Sequence, residues 1–237
     1  MTAAAGLSVW AARRRPGPWL VPLSRALALI ILAGWMGEYV ADAVLGIWSA
    51  KYTLPLQLTD AVSLTAILAL WTRKPLLVEL TYFWALTASL QAALTPDLGR
   101  SFPSVFYFTY FTYHGGVIVA ACFLVFGWGL YPRRGAVLRV YAVTLAVAAV
   151  AGLADWVSGG NYMYLRQKPE HSSLLSVMGP WPWYIASTAA LGLVMLCAVA
   201  AATRTLRRSS LEASPGEPDP SAAARAWHAG PHDSTAR

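Results

Sequence analysis

His114 lies near the middle of a long apolar run, residues 102–130, in which the other ionisable side chains are tyrosines and one cysteine. A run of that length can cross a bilayer. A titratable group at such depth usually faces the interior of a helix bundle or a water-filled cavity, because contact with lipid is costly. Histidine is also the side chain best placed to accept a proton near neutral pH. His114 is therefore the first candidate for chemistry in this chain.

Acids, amides and a threonine interrupt the other apolar runs. Each of them alone is explained equally well by a structural role, because Thr bonds back to its own helix and Asp or Gln joins neighbouring helices. As a set in one half of the bilayer, they favour a functional cavity. The set comprises Glu38, Gln57, Thr59, Asp60, Gln91 and Asp155.

These residue types suit acyl transfer. A threonine hydroxyl is a weak nucleophile unless a base takes its proton, and His114 would be the base for Thr59. Either Asp60 or Asp155 would orient the imidazole, while Gln57 and tyrosine hydroxyls would donate to a developing oxyanion. A substrate reached from within the outer leaflet would be a lipid ester. The predicted substrate-binding residues are Gln57, Glu38, Gln91, Tyr110, Asp155, Asn161 and Tyr162.

Helix geometry argues against a direct contact between Thr59 and His114. Residues advance by about 1.5 Å along a helix, so Thr59 lies about 6 Å below Pro55 and His114 about 16 Å below Pro103. If both helices begin at the same level, the two side chains are too far apart for a hydrogen bond. We therefore expect the pair to form only if the span that carries His114 begins higher.

The elements that must position these residues are membrane helices. The chain has 237 residues, of which 57% are hydrophobic and 12% are charged, whereas average usage is about 45–50% apolar and about 25% charged. Backbone groups find no water in a bilayer, so each span must be a helix of about 20 residues. We predict an all-α, polytopic membrane helix bundle with about six transmembrane helices, at 22–44, 53–72, 75–95, 103–129, 136–157 and 181–203.

The predicted transmembrane domain, 22–203, has a segment on either side of it. Residues 1–21 form a basic, Pro-containing segment that we expect in the cytoplasm. Residues 204–237 consist mainly of Ser, Pro, Ala and charged residues. Such a tail cannot bury a core, so we expect it to be disordered and cytoplasmic.

Local signals refine two of the spans. Thr53 is a plausible N-cap for the second span, with Pro55 in its first turn. In the fifth span, Ala148, Gly152 and Asp155 fall on one helical face. Small residues at this spacing permit close approach of another helix, so we expect Asp155 to point inward.

Two further features concern the ends of the bundle. The connection 158–179 is long and rich in aromatic residues, which favours a lid or re-entrant segment, or alternatively an aromatic anchor at the interface. Glu79, at the other end, is expected to pair with Arg73 or with an inner-loop arginine.

The net charge of +7 is divided unevenly between the two sides of the six-span arrangement. This bias is the positive-inside signature, and it predicts a multi-pass protein of the plasma membrane with both termini in the cytoplasm. The expected partners are membrane lipids, and no nucleic-acid partner is needed to explain the charge. One side carries 12 cations (Arg13, Arg14, Arg15, Arg25, Arg73, Lys74, Arg133, Arg134, Arg139, Arg204, Arg207 and Arg208) and the other carries 4 (Lys51, Arg100, Arg166 and Lys168).

The two cysteines, Cys122 and Cys197, lie inside apolar spans and are expected to be small core residues. No Cys/His spacing resembles that of a metal site. We therefore predict neither a metal nor a cofactor.

Six short motifs in order along residues 30–203 resemble the YwaF-type family of bacterial integral membrane proteins. The motifs are Leu-Pro-Leu-Gln-Leu-Thr-Asp at 54–60, Glu-Leu-Thr-Tyr-Phe-Trp at 79–84, Thr-Pro-Asp-Leu at 95–98, Tyr-His-Gly at 113–115, Asn-Tyr-Met-Tyr-Leu at 161–165 and Gly-Pro-Trp-Pro-Trp-Tyr at 179–184. This family is similar to the eukaryotic transmembrane protein 164, and more distantly to the androgen-induced-type hydrolases.

The resemblance implies a lipid acyl hydrolase or acyltransferase. Transmembrane protein 164 is a phospholipid-remodelling acyltransferase with a Cys nucleophile and a His, and the androgen-induced-type hydrolases use Thr and His on fatty-acid esters. His114 and Asp60 match the family motifs. Where the family usually reads Leu-Pro-Leu-His-Leu-Cys-Asp, this chain has Gln57 for His and Thr59 for Cys. The second change keeps a nucleophilic atom but loses the reactivity of a thiolate.

Two other classes of function remain open. A proton-coupled or small-molecule carrier would use Asp60, His114 and Asp155 as a relay, although six short-looped spans are few for a carrier unless it is a homo-oligomer. A non-catalytic membrane scaffold would explain the His and Cys replacements. Substitution by Ala distinguishes the three classes. The enzyme needs Thr59 and His114 together, the carrier needs the acids but not Thr59, and the scaffold needs none of them.

Overall fold

The computed structural model describes residues 2–96, 98, 101–169 and 174–212. These ranges contain helices and no strand, so the predicted all-α bundle is confirmed. The helices are α1 Thr2–Arg14, α2 Leu20–Val44, α3 Leu58–Thr72, α4 Pro75–Leu94, α5 Val105–Gly127, α6 Ala136–Ser158 and α7 Trp183–Glu212. Each of α4 and α5 includes one π-helical turn, at Ala85–Ser89 and Phe123–Gly127 respectively.

Five of the helices, α2 and α4 to α7, are long and apolar enough to cross a membrane. The sixth expected span is α3, which has only 15 residues. At about 1.5 Å per residue it is about 22 Å long, shorter than a hydrocarbon core of about 30 Å. The helix therefore covers only part of the bundle's depth.

Our prediction for the start of this short helix was wrong. Gln57 is the N-cap of α3, and Thr53 belongs to the preceding loop. The Thr53 hydroxyl accepts a hydrogen bond from the Ser49 N–H at 3.2 Å, and the Thr53 N–H donates to the Ser49 carbonyl at 2.8 Å. Because Thr53 closes this local turn, it is not available to cap a helix.

Glycines allow α2 and α5 to pack closely and antiparallel. A Cβ atom added at Gly34 of α2 would lie 3.1 Å from the Tyr113 backbone nitrogen of α5. A Cβ atom added at Gly116 of α5 would lie 2.7 Å from Cγ1 of Ile31. Neither position has room for a Cβ atom, so α2 and α5 pack closely at both glycines, and at Gly34 the contact is with the backbone of α5.

The bundle has two ends. The Tyr162 end, where α2 ends and α3 begins, is named after a buried tyrosine in the connection between α6 and α7. The opposite end is the Glu79 end. There, the Glu79 carboxylate is buried and accepts hydrogen bonds from Arg133 Nε at 2.8 Å and from Arg139 Nη2 at 2.9 Å. The expected pairing of Glu79 with an inner-loop arginine is thus present, whereas Arg73 lies over the ring of Trp128.

The segment before α2 contains a helix that the sequence analysis did not predict. In α1, Ala5 and Ala12 are buried, and Arg13 Nε donates to the Phe126 carbonyl at 3.0 Å. At the other end of the chain, α7 continues through Glu212, past the predicted start of the tail at residue 204. The rest of the predicted tail, 213–237, lies outside the described residues.

Helices α6 and α7 contact α4 through a few polar bonds. Trp84 Nε1 of α4 donates to the Thr144 hydroxyl of α6 at 2.8 Å. The hydroxyls of Tyr82 in α4 and Thr203 in α7 are also 2.8 Å apart. About half of the apolar side chains on α6 and α7 are exposed, and this is the surface that a membrane protein presents to lipid.

Candidate functional site

Asp60 fixes the beginning of α3 to α2. Its carboxylate is buried, and Oδ1 accepts hydrogen bonds from Trp35 Nε1 and from the Tyr39 hydroxyl, both at 2.8 Å. Oδ2 accepts from the Gln57 N–H at 2.9 Å, which closes the first turn of the helix. Trp35 and Tyr39 are four residues apart and so share one face of α2. The carboxylate therefore positions a helix terminus, and no hydrogen bond joins it to His114 among the described residues.

These bonds place the first turn of α3 below the end of α2. Trp35 and Tyr39 precede the last residue of α2, Val44, by nine and five residues. At about 1.5 Å per residue, Asp60 lies about 8–14 Å below that end. The start of α3 is therefore inside the bundle, and residues 45–57 fold over it.

Helix α2 gives the depth of His114 on the same scale. Gly34 lies against Tyr113, and Ile31 lies against Gly116, so His114 is level with the stretch between Ile31 and Gly34. Its separation in depth is then about 7 Å from Asp60 and about 8 Å from Thr59, for which equal starts of the predicted spans gave about 10 Å. We expected Thr59 and His114 to meet only if α5 began higher. In the structure the start of α3 lies lower instead, and the two residues remain at different depths.

The Thr59 side chain is half-buried in the first turn of α3. Within the described ranges, its hydroxyl makes no hydrogen bond, and neither does the N–H of Leu58 or of Thr59. The first N–H groups of a helix have no intrahelical acceptor. The hydroxyl thus lies beside two unused backbone donors.

His114 is almost fully buried, with 1% of its surface exposed. Its ring centre lies 4.2 Å from that of Tyr110 and 4.3 Å from that of Tyr113. The Tyr110 hydroxyl donates to the Ala92 carbonyl at 2.9 Å and thereby holds α5 against α4. Nδ1 of His114 is buried and has no hydrogen-bond partner among the described residues. No hydrogen bond links His114 with Thr59 there.

Glu38 and Gln57 border this region from two sides. The half-buried Glu38 carboxylate interacts with the Tyr113 hydroxyl and lies close enough to Asp60 for their charges to interact. The Gln57 side-chain oxygen accepts a hydrogen bond from the Met163 N–H at 2.9 Å. Gln57 therefore connects the start of α3 to the α6–α7 connection.

Asp155, Asn161 and Tyr162 organise the Tyr162 end. Asp155 is buried, as expected for an inward-facing residue, and its Oδ1 accepts a hydrogen bond from the Tyr162 N–H at 2.6 Å. The Tyr162 hydroxyl donates to the Ala50 carbonyl and accepts from the Leu54 N–H, both at 2.8 Å. Burial raises the pKa of this hydroxyl, which therefore remains protonated and able to donate. Asn161 Oδ1 accepts from the backbone of Arg166 and Gln167.

The predicted site residues thus separate into groups. Thr59, Asp60, Gln57, Glu38, His114 and Tyr110 lie around the junction of α2, α3 and α5, whereas Asp155, Asn161 and Tyr162 hold the adjoining connection. Gln91 is exposed near the end of α4 and joins neither group. Among the described residues, no cluster of three or more His, Cys, Asp or Glu side chains could hold a metal ion.

Three residues of the junction were not identified from the sequence: Trp35, Tyr39 and Tyr113. Trp35 and Tyr39 lie on either side of Glu38 in an apolar span, at a spacing that puts both on one helical face. Aromatic side chains with a polar tip generally find a hydrogen-bond partner when they are buried. This spacing was the signal that an acceptor, here Asp60, would lie opposite them.

Comparison with known proteins identifies one family. The sequence model of the TMEM164 family matches residues 1–200. No curated protein and no solved structure matches the chain.

Proposed function

Since the chain belongs to the TMEM164 family of membrane proteins, we propose that it is an intramembrane acyltransferase or acyl hydrolase that acts on lipid esters. Thr59 is the nucleophile and His114 is the general base. Asp60 is a positioning residue, because its bonds to Trp35 and Tyr39 hold the first turn of α3 inside the bundle.

The reaction proceeds in two halves. His114 takes the proton of the Thr59 hydroxyl as Oγ1 bonds to the carbonyl carbon of the ester. The bond between that carbon and the alcohol oxygen then breaks, and the imidazolium returns the proton to the departing oxygen. In the second half, His114 takes a proton from water or from the hydroxyl of an acceptor lipid as that oxygen bonds to the acyl carbon. The bond between the acyl carbon and Thr59 Oγ1 then breaks, and the imidazolium returns the proton to Oγ1.

One observation carries the proposal. The polar neighbours of Thr59 in the chain, Gln57 and Asp60, have their side chains engaged in hydrogen bonds. The Thr59 hydroxyl and Nδ1 of His114 make none among the described residues. In catalytic sites without substrate, the bonds between base and nucleophile are often long or pass through one water. A bridging water or a rearrangement on substrate binding would close the separation of about 8 Å in depth between Thr59 and His114.

The start of α3 also supplies charge stabilisation. The N–H groups of Leu58 and Thr59 lie next to the Thr59 hydroxyl and are free to donate to the oxyanion of a tetrahedral intermediate. Preorganised backbone donors of this kind are often the largest contribution to acyl-transfer catalysis. Gln57, which the sequence analysis assigned to this role, is instead engaged with Met163.

A fluorophosphonate probe tests the proposal, because it labels activated hydroxyl nucleophiles covalently. The purified protein in detergent is expected to be labelled, and Thr59→Ala and His114→Ala are each expected to abolish labelling. Thr65→Ala is the matched control, because Thr65 lies in the same helix and its hydroxyl only bonds back to the Val62 carbonyl. This control should be labelled like the unmodified protein.

Absence of labelling in folded protein would contradict the threonine mechanism. Labelling that persists in Thr59→Ala would show that another residue is the nucleophile. Loss of labelling in Thr65→Ala as well would indicate that the substitutions disturb α3 and not the chemistry. Circular dichroism of each variant establishes that its helices are retained.

We also propose that the protein spans the plasma membrane with both termini in the cytoplasm. The Tyr162 end then faces outward, and the arginine-rich Glu79 end faces the cytoplasm, as the positive-inside rule requires. In this orientation the proposed site is reached by lipids of the outer leaflet.

A further inference from the structure

Two loops at the Tyr162 end enclose a cleft of about 520 Å³. One wall comes from residues 51–52, between α2 and α3, and the other from residues 159–169, after α6. Three cationic side chains line it: Lys51, Arg166 and Lys168. The described lining residues include no Asp or Glu. Nothing in the proposed acyl-transfer chemistry uses this cleft.

The two walls of the cleft are held in a fixed relation. The Tyr162 hydroxyl forms hydrogen bonds with the backbone of Ala50 and of Leu54, which precede and follow the wall that contains Lys51. At Gly160, an added Cβ atom would lie 2.8 Å from the Lys51 carbonyl, so the two backbones are in direct contact. Because both walls are built from hydrogen-bonded backbone, the cleft is formed before any ligand binds.

The cations differ in how far they are already paired. Arg166 Nη1 donates to the carbonyls of Asp155 and Gly160, at 3.2 and 3.5 Å, and the buried Asp155 carboxylate balances part of its charge from behind the wall. Lys51 contacts the ring of Tyr52, and Lys168 donates to the Ser176 carbonyl at 3.3 Å. Neither lysine forms an ion pair within the described residues. Among the described lining residues, positive charge is therefore in excess.

We propose that this cleft binds the phosphate of a membrane lipid whose head group carries a net negative charge. An arginine fork and two ammonium groups suit phosphate oxygens. A zwitterionic head group would bring its own cation into a cleft that has no described carboxylate to receive it. The lipid is therefore selected for net charge as well as for its phosphate.

The position of the cleft connects it with the acyl-transfer site, and this part of the inference rests on the proposed function. The N–H of Met163, in the same connection as the cleft wall, donates a hydrogen bond to the Gln57 side chain, and Gln57 is two residues from Thr59. In a glycerophospholipid, the ester carbonyls lie one glycerol unit below the phosphate. A phosphate in the cleft would thus direct an ester toward the start of α3.

Lipid binding tests the inference without any need for catalysis. The full-length protein is delipidated in detergent, and the binding of phosphatidylglycerol and phosphatidylcholine with identical acyl chains is measured by native mass spectrometry. Binding of phosphatidylglycerol should be the stronger, and Lys51→Gln/Arg166→Gln should weaken it about tenfold, which is the usual effect of losing hydrogen bonds to a charged group. Lys51→Gln alone, which removes no hydrogen bond of the fold, should weaken it in the same direction.

Lys74→Gln/Arg134→Gln is the matched control, because both residues are exposed cations at the Glu79 end. It should bind both lipids like the unmodified protein. Equal binding of the two lipids, or equal loss in the cleft and control variants, would overturn the inference. A second arm replaces the lipid by inorganic phosphate and measures the midpoint of thermal unfolding. Stabilisation by phosphate that the cleft variant loses, with lipid binding unchanged, would assign the cleft to a soluble anion and overturn the lipid assignment.

The experiments can contradict the lipid-binding cleft and the threonine mechanism independently of each other. Thr59→Ala should bind phosphatidylglycerol normally. If lipid binding follows the cleft residues but fluorophosphonate labelling is absent, the cleft stands and the threonine mechanism does not. If labelling depends on Thr59 but lipid binding ignores the cleft, the reverse holds.

Discussion

The polar residues at the start of α3 differ in how many hydrogen bonds their side chains already make. Asp60 uses both carboxylate oxygens, whereas the Thr59 hydroxyl, one residue earlier, uses none of its bonding capacity within the described chain. The sequence predicted that Asp60, His114 and Asp155 would be buried, because ionisable groups in an apolar span avoid lipid. It did not predict their partners, since Trp35 and Asp60 are 25 residues apart and only the packing of α2 on α3 brings them together.

Replacement of Asp60 by Asn should destabilise the fold. Asn has one acceptor oxygen, and its NH₂ group would face either the donors on α2 or the Gln57 N–H. An unsatisfied buried donor costs about 1–3 kcal/mol, so the midpoint of thermal unfolding in detergent should fall. Asp42→Asn is the control, because Asp42 lies at the same end of the bundle and its side chain makes no hydrogen bond among the described residues. If both variants unfold at the same temperature as the unmodified protein, the three bonds to Asp60 do not stabilise α3.

The helix boundaries show where hydropathy alone predicts the end of a helix and where it does not. The predicted bounds of α2, α4, α5 and α6 lie within two residues of those observed. The start of α3 was wrong by several residues, because Leu54 and Leu56 continue the apolar run while Ser49 and Thr53 form a local turn. Hydropathy does not register such capping, and it is the late start that places the first turn of α3 inside the bundle.

The close approach of α2 and α5 predicts a difference between two glycines. Gly34→Ala would put a Cβ atom 3.1 Å from the Tyr113 backbone nitrogen and 2.9 Å from Thr112 Cγ2, so the helices must separate. Overpacking of this kind costs about 1–3 kcal/mol. Gly192→Ala, on α7, meets nothing within 4 Å. Both changes gain the same helix propensity, so the difference between them isolates packing.

Thermal unfolding in detergent measures the effect of both glycine variants. Gly34→Ala should unfold at a lower temperature than the unmodified protein, and Gly192→Ala at the same or a slightly higher temperature. Equal unfolding temperatures for the two variants would mean that α2 and α5 can shift without cost. Because α2 also carries the aromatic partners of Asp60, Gly34→Ala is further expected to reduce labelling by the fluorophosphonate probe.

At the scale of the whole molecule, the two groups of cations lie at opposite ends of the bundle. Arg73 and Arg133 lie at the Glu79 end, where Arg73 lies over an aromatic ring and Arg133 pairs with the buried Glu79. Lys51 and Arg166 lie at the Tyr162 end, in a cleft without a described acid. The sequence predicted this division, because each predicted span moves the chain to the other end of the bundle. The prediction did not depend on the length of α3, which is too short to cross a membrane on its own. The cleft could not be predicted, since it exists only where two distant loops meet.

Accessibility of substituted cysteines tests the orientation that these cations predict. In a chain whose Cys122 and Cys197 are replaced by Ala, Gln167→Cys at the Tyr162 end should react with a membrane-impermeant maleimide in intact cells. Lys74→Cys at the Glu79 end should react only after the cells are permeabilised. Both positions are exposed, so a failure to react reports the side of the membrane and not burial. The opposite pattern would place the cationic cleft on the cytoplasmic side, where anionic lipids are abundant, and the site would then act on lipids of the inner leaflet.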